Sequence, residues 1–260
     1  MNQGKRIHSV IKAVGFSVVF GLLITTGVSA DEKHHEDPTR IVTKIGVGYS
    51  DTASLSGSIG LDEVRMLNGR VNDTGEWRIG GSWLFDLGIL NFNFSRTDYE
   101  NDSYRNNYSI GTYVPLSSFD IAPAGWMLFP MAGYSFNDGE MAVPSDDLED
   151  EYVLMRSKAH GVYLGMFGVR PIADTDWSVL AVAGGAVGSE NYTSYWGGLG
   201  MSYKINKHAS FNLFAFLSED DFGSNNKIGG SFSYQSKVRY IYVGHYPDSN
   251  HHVITPSDAS

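Results

Sequence analysis

The sequence predicts an all-β fold: an antiparallel transmembrane β-barrel that crosses a membrane by its strands. Three observations predict it. Residues Gly88 to Thr97 alternate large apolar with small polar side chains, one residue at a time. On an extended chain this puts Leu90, Phe92 and Phe94 on one face and Asn91, Asn93 and Ser95 on the other. Segments of about ten residues with similar patterning recur along the chain, the length of a tilted membrane strand. They follow an export signal, and no later segment is long and apolar enough for a transmembrane helix. Only helices and closed barrels satisfy their backbone groups in lipid, so a membrane-resident form of this chain is a barrel.

The export signal comes first in the chain. Lys5, Arg6 and Lys12 form a basic start, and Ala13 to Ile24 is an apolar core shorter than the roughly 20 residues of a spanning helix. Val28-Ser29-Ala30 presents small residues to a signal peptidase, which predicts cleavage after Ala30 and a mature start at Asp31. No cysteine follows, which excludes a lipoprotein and any disulfide framework. The domain reading is a signal peptide over 1–30, a flexible polar leader over 31–39, a barrel over 40–247 and a polar tail over 248–260.

The formal charge of the 260-residue chain is −10, and removal of the signal's three bases leaves 16 basic against 29 acidic side chains, or −13. That balance excludes a basic nucleic-acid face and suits acidic rims facing water.

Strands are predicted at Arg40–Ser50, Glu76–Asp86, Gly88–Asp98, Asn107–Leu116, Trp126–Asn137, Lys158–Pro171, Trp177–Ser189, Thr193–Ile205, Ser210–Ser218, Lys227–Gln235 and Val238–Tyr246. Trp77, Ile79, Trp83 and Phe85 oppose Glu76, Arg78, Ser82 and Asp86. Ile228, Phe232 and Tyr234 oppose Ser231, Ser233 and Gln235. The stretches Val179–Val187 and Gly197–Gly200 are glycine-rich, which suits tight curvature or close inward packing. Eleven segments are an odd number, whereas single-chain bacterial barrels are even. A further strand within Ser54–Met66, or a short closing one at His251–Thr255, makes twelve; a falsely split strand makes ten. Twelve is the favoured count.

Short connections fall near Leu87, Pro171–Asp176, Asn206–His208 and Ser236–Lys237. Longer ones fall near Asp51–Gly75, Tyr99–Asn106, Asp138–Ser157 and Glu219–Asn226. Short inner turns and long outer loops are characteristic of outer-membrane barrels. In this pattern, over roughly Arg40 to Tyr246, the chain resembles small bacterial outer-membrane β-barrel proteins. The resemblance implies a Gram-negative outer membrane, with lipid and lipopolysaccharide as surroundings and the barrel assembly machinery as partner. The polar tail departs from it, since such barrels usually end in an aromatic residue. Oligomeric state is not legible.

Trp83, Trp126, Trp177, Tyr203, Tyr240 and Tyr242 are candidates for interfacial belts. The alternation predicts a lumen lined by Lys44, Glu76, Arg78, Asn91, Asn93, Ser202, Lys204, Ser231, Ser233 and Arg239. These side chains either line a narrow pore or pair with one another to close the barrel, and closure is favoured at this strand number. Lys158 and His160 carry the inward parity in the same reading. His245, followed by Pro247 and Ser249-Asn250, resembles the His and Ser-Asn of outer-membrane lipid A deacylases, in which the imidazole activates the Ser hydroxyl. Its spacing is looser than theirs, and Pro247 interrupts the strand. Residues Glu140 to Glu151 concentrate carboxylates without the glycine or spacing of a calcium loop, so a solvated acidic loop is expected there. His34-His35 and His251-His252 are read as exposed pairs in polar tails. No metal site, cofactor motif, phosphate loop or nucleophile elbow is present. Three functions remain open: a non-enzymatic structural or small-solute channel barrel with acidic surface loops, an outer-membrane lipid hydrolase using His245 and Ser249, and a soluble periplasmic ligand binder.

Overall fold

Alternating sequence becomes a closed ring. The computed structural model describes residues 33–99, 102–144 and 152–236. Its strands are β1 (Thr43–Ser50), β2 (Thr52–Gly60), β3 (Arg65–Asn72), β4 (Trp77–Phe85), β5 (Gly88–Asp98), β6 (Tyr104–Tyr113), β7 (Met127–Pro144), β8 (Tyr152–Pro171), β9 (Trp177–Gly188), β10 (Thr193–Lys204), β11 (Ala209–Asp220), β12 (Gly223–Ser224) and β13 (Lys227–Ser236). Consecutive strands from β1 to β11 pair antiparallel, β11 pairs with β13, and β13 returns to β1. Twelve strands thus close the barrel, and the two-residue β12 only folds back onto the end of β11. Closure leaves no unpaired edge in the ring.

Two of the twelve strands come from the long connection Asp51–Gly75, within which the sequence offers Ser54–Met66 as one further strand. The stretch Asp51–Gly75 folds as β2 and β3, with Asp51 alone joining β1 to β2 at a left-handed φ of 57°. Both edges of β1 are therefore taken, and the ring closes without Val238–Tyr246, which lies outside the described residues together with the proposed signal and tail. The acidic stretch is also shorter as a loop than Asp138–Ser157. Asp138 to Pro144 continues β7, and Tyr152 to Ser157 belongs to β8. These strands have 18 and 20 residues. At about 3.3 Å per residue and a tilt near 40°, 18 residues rise about 45 Å, well beyond an apolar band of about 25 Å. The hairpin therefore projects past the membrane at the end of the barrel where β1 finishes, here called the far end. The longest fully described connection, 114–126, is at the near end, where β1 begins. It contains two short 3-10 turns, so length does not separate the two ends cleanly.

The outside of the barrel is apolar. Leu164 and Leu199, both in mid-strand, are each 68% exposed, and Ile228, at the start of β13, is 78% exposed. A water-soluble protein does not leave such a continuous apolar belt bare; lipid covers it. Phe92 and Phe94 share this outer face. Trp177 and Tyr203 pack against each other on it, with ring centroids 4.8 Å apart. Lys158 and His160 lie on this face too, because they share parity with Val162 and Leu164. Lys158 pairs with Asp138 at 3.8 Å, and His160 with the Tyr134 hydroxyl. The inward assignment of these two fails because the inner positions of β8 are held by small and apolar residues, among them Ala159, Gly161, Gly165, Phe167 and Val169, rather than by polar ones.

Glycines of β6 and β7 make room for an aromatic side chain inside. Tyr163 of β8 lies over Gly133 and Gly111, its successive partners across β7 and β6. A Cβ at either glycine would collide with the Tyr163 ring.

Candidate lumenal site

The inner face is fixed by contacts that cross the ring. Lys227 of β13 reaches Glu76, beside β4, at 3.0 Å, and Arg105 of β6 pairs with Asp220 of β11. Neither pair is on neighbouring strands, so both must span the lumen.

Register builds one wall of the lumen from polar side chains. Ser56, Arg70, Arg78, Ser95, Asn107 and Asn137 are successive cross-strand partners from β2 to β7. Arg70 donates to Ser54 Oγ at 3.2 Å. Asn107 Nδ2 donates to Asn137 Oδ1 at 2.8 Å. The opposite wall is apolar: Phe167, Leu180, Val182, Phe214 and Phe216 turn inward from β8, β9 and β11 and are only half buried. Between the walls is a cavity of about 420 Å³, within the size range of small-molecule sites.

Lys44, Arg78, Asn91, Asn93, Ser202, Lys204, Ser231 and Ser233 sit on the inner face by strand parity, and Glu76 stands at its far rim. Asn91 accepts from Ser82 Oγ at 2.7 Å, and Ser233 meets Ser210 at 2.9 Å. Glu76 accepts from Asn72 Nδ2 at 2.6 Å as well as from Lys227. Arg239, His245, Ser249 and His251-His252 lie outside the described residues. Of the acidic stretch, Glu140 is in β7, and Ser145–Glu151 lies outside them too. Among the described residues no group of three metal-ligating side chains forms.

Four inner residues went unread in the sequence: Arg70, Arg105, Asp220 and Lys227. Three lie in segments that the sequence predicts to be loops, and Lys227 is the first residue of a predicted strand. The available signal for Arg70 was its alternation with Leu67, Gly69 and Val71. With them, the described inner strand positions carry Lys44, Arg70, Arg78, Arg105, Lys204 and Lys227, against Asp220 and the rim residue Glu76. Both acids are already paired. The lumen of an acidic protein is therefore cationic.

Both mouths are narrowed. At the far end the Asp220 carboxylate accepts from Arg105 and from the Tyr99 hydroxyl at 3.0 Å. Arg105 also donates to the Tyr192 hydroxyl at 3.4 Å. Phe222, from the β11–β13 connection, is buried against Tyr192, Ala159 and Ala186. Burial pushes the Tyr99 phenol well up, so it stays a neutral donor.

At the near end the leader is docked rather than flexible. His34 Nε2 meets Ser178 Oγ at 3.0 Å, and His35 Nε2 meets Ser202 Oγ at 2.9 Å. Ser202 Oγ also lies 2.8 Å from Glu36 Oε1. The leader enters β1 beside Ser58, whose hydroxyl donates to the Val42 carbonyl at 2.6 Å. It therefore crosses the near mouth from β2 to β9 and β10, and His34-His35 is not an exposed pair. Burial, then the neighbouring His35, lowers His34 to about 4. His35 is lowered too, chiefly by burial, although Glu36 opposes the shift.

Neither a protein-family model nor a curated protein sequence matches the chain. Solved structures do resemble it, and they are bacterial outer-membrane barrels. A bacterial polysaccharide outer-membrane secretin is 8% identical, with a TM-score of 0.45 over 72% of this chain and 70% of that one. The NanC porin is 8% identical, with a TM-score of 0.44 over 75% of this chain and all of the other. The outer-membrane protease OmpT from Escherichia coli is 10% identical, with a TM-score of 0.40 over 78% of this chain and 99% of that one. These likenesses are of architecture. They include channels and a protease alike, so they do not choose a function.

Proposed function

We propose that this chain is a bacterial outer-membrane barrel with a non-enzymatic, small-solute channel role, its two mouths restricted by the leader and by the Phe222 connection. The observation that carries the reading is the lumen itself. A purely structural barrel of this size fills its interior with mutually paired side chains. This one keeps a cavity of about 420 Å³ with Arg70 and Arg78 bordering it. The hydrolase reading rests on His245 and Ser249, and nothing in the described lumen adds to it. The apolar outer belt speaks against a soluble periplasmic binder.

Reconstitution into planar bilayers tests the channel. The expected result is discrete conductance steps, with larger or longer openings when His34 and His35 are both replaced by Ala to undock the leader. Folded, heat-modifiable protein that gives no steps, with or without the leader contacts, overturns the channel role.

A further inference from the structure

Two features of the lumen are costly as they stand. Arg70 and Arg78 are direct cross-strand partners on the inner face. Side chains so placed have Cβ atoms about 4.5–5.5 Å apart, and like charges there are destabilising. Neither guanidinium forms an ion pair among the described residues; Glu76 borders the same cavity, but its carboxylate is hydrogen-bonded to Lys227 and Asn72. The Arg78 side chain makes no hydrogen bond among the described residues, and that of Arg70 makes only the one to Ser54. The second feature is the facing wall. A water-filled lumen is polar, yet Leu180, Val182, Phe214 and Phe216 present half-bare apolar surface to it.

One kind of molecule relieves both. We infer that the cavity between Arg70–Arg78 and the Phe214–Phe216 wall is a binding site for a small amphipathic organic anion. Its carboxylate sits between the two guanidiniums, and its aromatic or aliphatic body lies on the apolar wall. Two planar guanidiniums offer a carboxylate charge-assisted, bidentate hydrogen bonds, which are the strong class. The apolar body gains by covering surface that water otherwise wets. A simple inorganic anion satisfies only the first half of the site, and a neutral or cationic amphiphile only the second. The inference rests on the small-solute reading and names the class of solute.

The probe is 3-phenylpropionate, titrated by calorimetry into the full chain in lipid nanodiscs, with empty nanodiscs subtracted for partitioning. Acetate tests the head alone, and 3-phenylpropylamine tests the body with opposite charge. The expected result is saturable one-to-one binding of 3-phenylpropionate, acetate weaker by about tenfold or more, and no saturable binding of the amine. Arg70→Gln and Arg78→Gln should each weaken 3-phenylpropionate by about tenfold. Arg65→Gln, on the outer face beside Asp62, should leave it unchanged.

Equal affinity for acetate and 3-phenylpropionate, or for the amine, overturns the amphipathic site in the unaltered protein, whether or not the variants fold. Unchanged affinity in folded Arg78→Gln overturns the assigned anion partner. Conductance measured on the same preparation separates the two readings. Saturable binding without conductance keeps the site and removes the channel; conductance without saturable binding does the reverse.

Discussion

Asp220 is the residue on which the far mouth turns. Its carboxylate, with a side chain only 5% exposed, accepts from Arg105 and Tyr99 and from the backbone N–H of Phe222 at 2.8 Å. One side chain thus ties β6, β11 and the β11–β13 connection together across the lumen. Removing it leaves the Arg105 guanidinium, itself mostly buried, without its counter-charge. Breaking a buried pair from one side typically costs about 3–5 kcal/mol, because the remaining charge stays desolvated. Asp220→Ala is therefore expected to lower the urea midpoint of the vesicle-refolded barrel by a shift of that order. Arg105→Ala/Asp220→Ala should lose less than the two single variants summed. Strict additivity in that cycle would show that the pair is not coupled and that Phe222 alone holds the mouth.

The docked leader has no strand pairing of its own, and two half-buried histidines make its docking sensitive to pH. His34 is held at about 4 in the docked leader, chiefly because docking buries it, whereas a free imidazole titrates near 6.5. A proton therefore prefers the undocked leader. Docking is at full strength above pH 6.5 and weakens as pH falls towards 4; Glu36 beside His35 moderates the effect, and Lys204 and Arg40 add to it. Hydrogen exchange over 34–42 should accelerate between pH 7.5 and pH 5 relative to β5, after correction for intrinsic rates. His34→Gln with His35→Gln should abolish that dependence. Protection that is flat with pH in the native protein would assign the docking to Ser58 and Val42 instead. The elements also differ in how much of them the sequence reveals. The strand Gly88–Asp98 was readable to its end residues because Phe and Asn alternate with maximal contrast. The strand Thr52–Gly60 was hidden because its inner positions are Ser, its outer ones include Ala53 and Gly57, and a single residue makes the preceding turn. The strand Tyr152–Pro171 hides its parity because both faces are small or apolar: Val162 and Leu164 point out, while Ala159, Phe167 and Val169 point in. The docking of His34 on Ser178 and the pairing of Arg105 with Asp220 join residues 144 and 115 positions apart, and only ring closure brings them together.

At the scale of the whole molecule, charge is sorted by surface. The chain carries a formal −10, yet its inner strand positions are cationic. The acids lie elsewhere, on the outer face at Asp138 and Glu140 and at the turns around Asp51, Asp62, Asp73 and Asp174. These two fields compete for a permeating ion. The exposed acids act through water and are screened beyond about 10 Å at 0.1 M salt. The inner cations act inside a narrow space with low-dielectric walls, which focuses their field. The inner field should win, so the reversal potential across a tenfold KCl gradient near 0.1 M is expected to have the sign of chloride selectivity. In salt near 1 M, where screening length falls to about 3 Å, the preference should shrink. Arg70→Gln with Arg78→Gln should reduce it further at low salt, because Arg105 and Lys227 are already neutralised by Asp220 and Glu76 and only Lys44 and Lys204, at the near end, then remain of the inner cations. Potassium selectivity in the native protein would mean that the acidic rim, not the arginine wall, governs entry, and that the lumen's positive charge is too far from the conducting path to act on it.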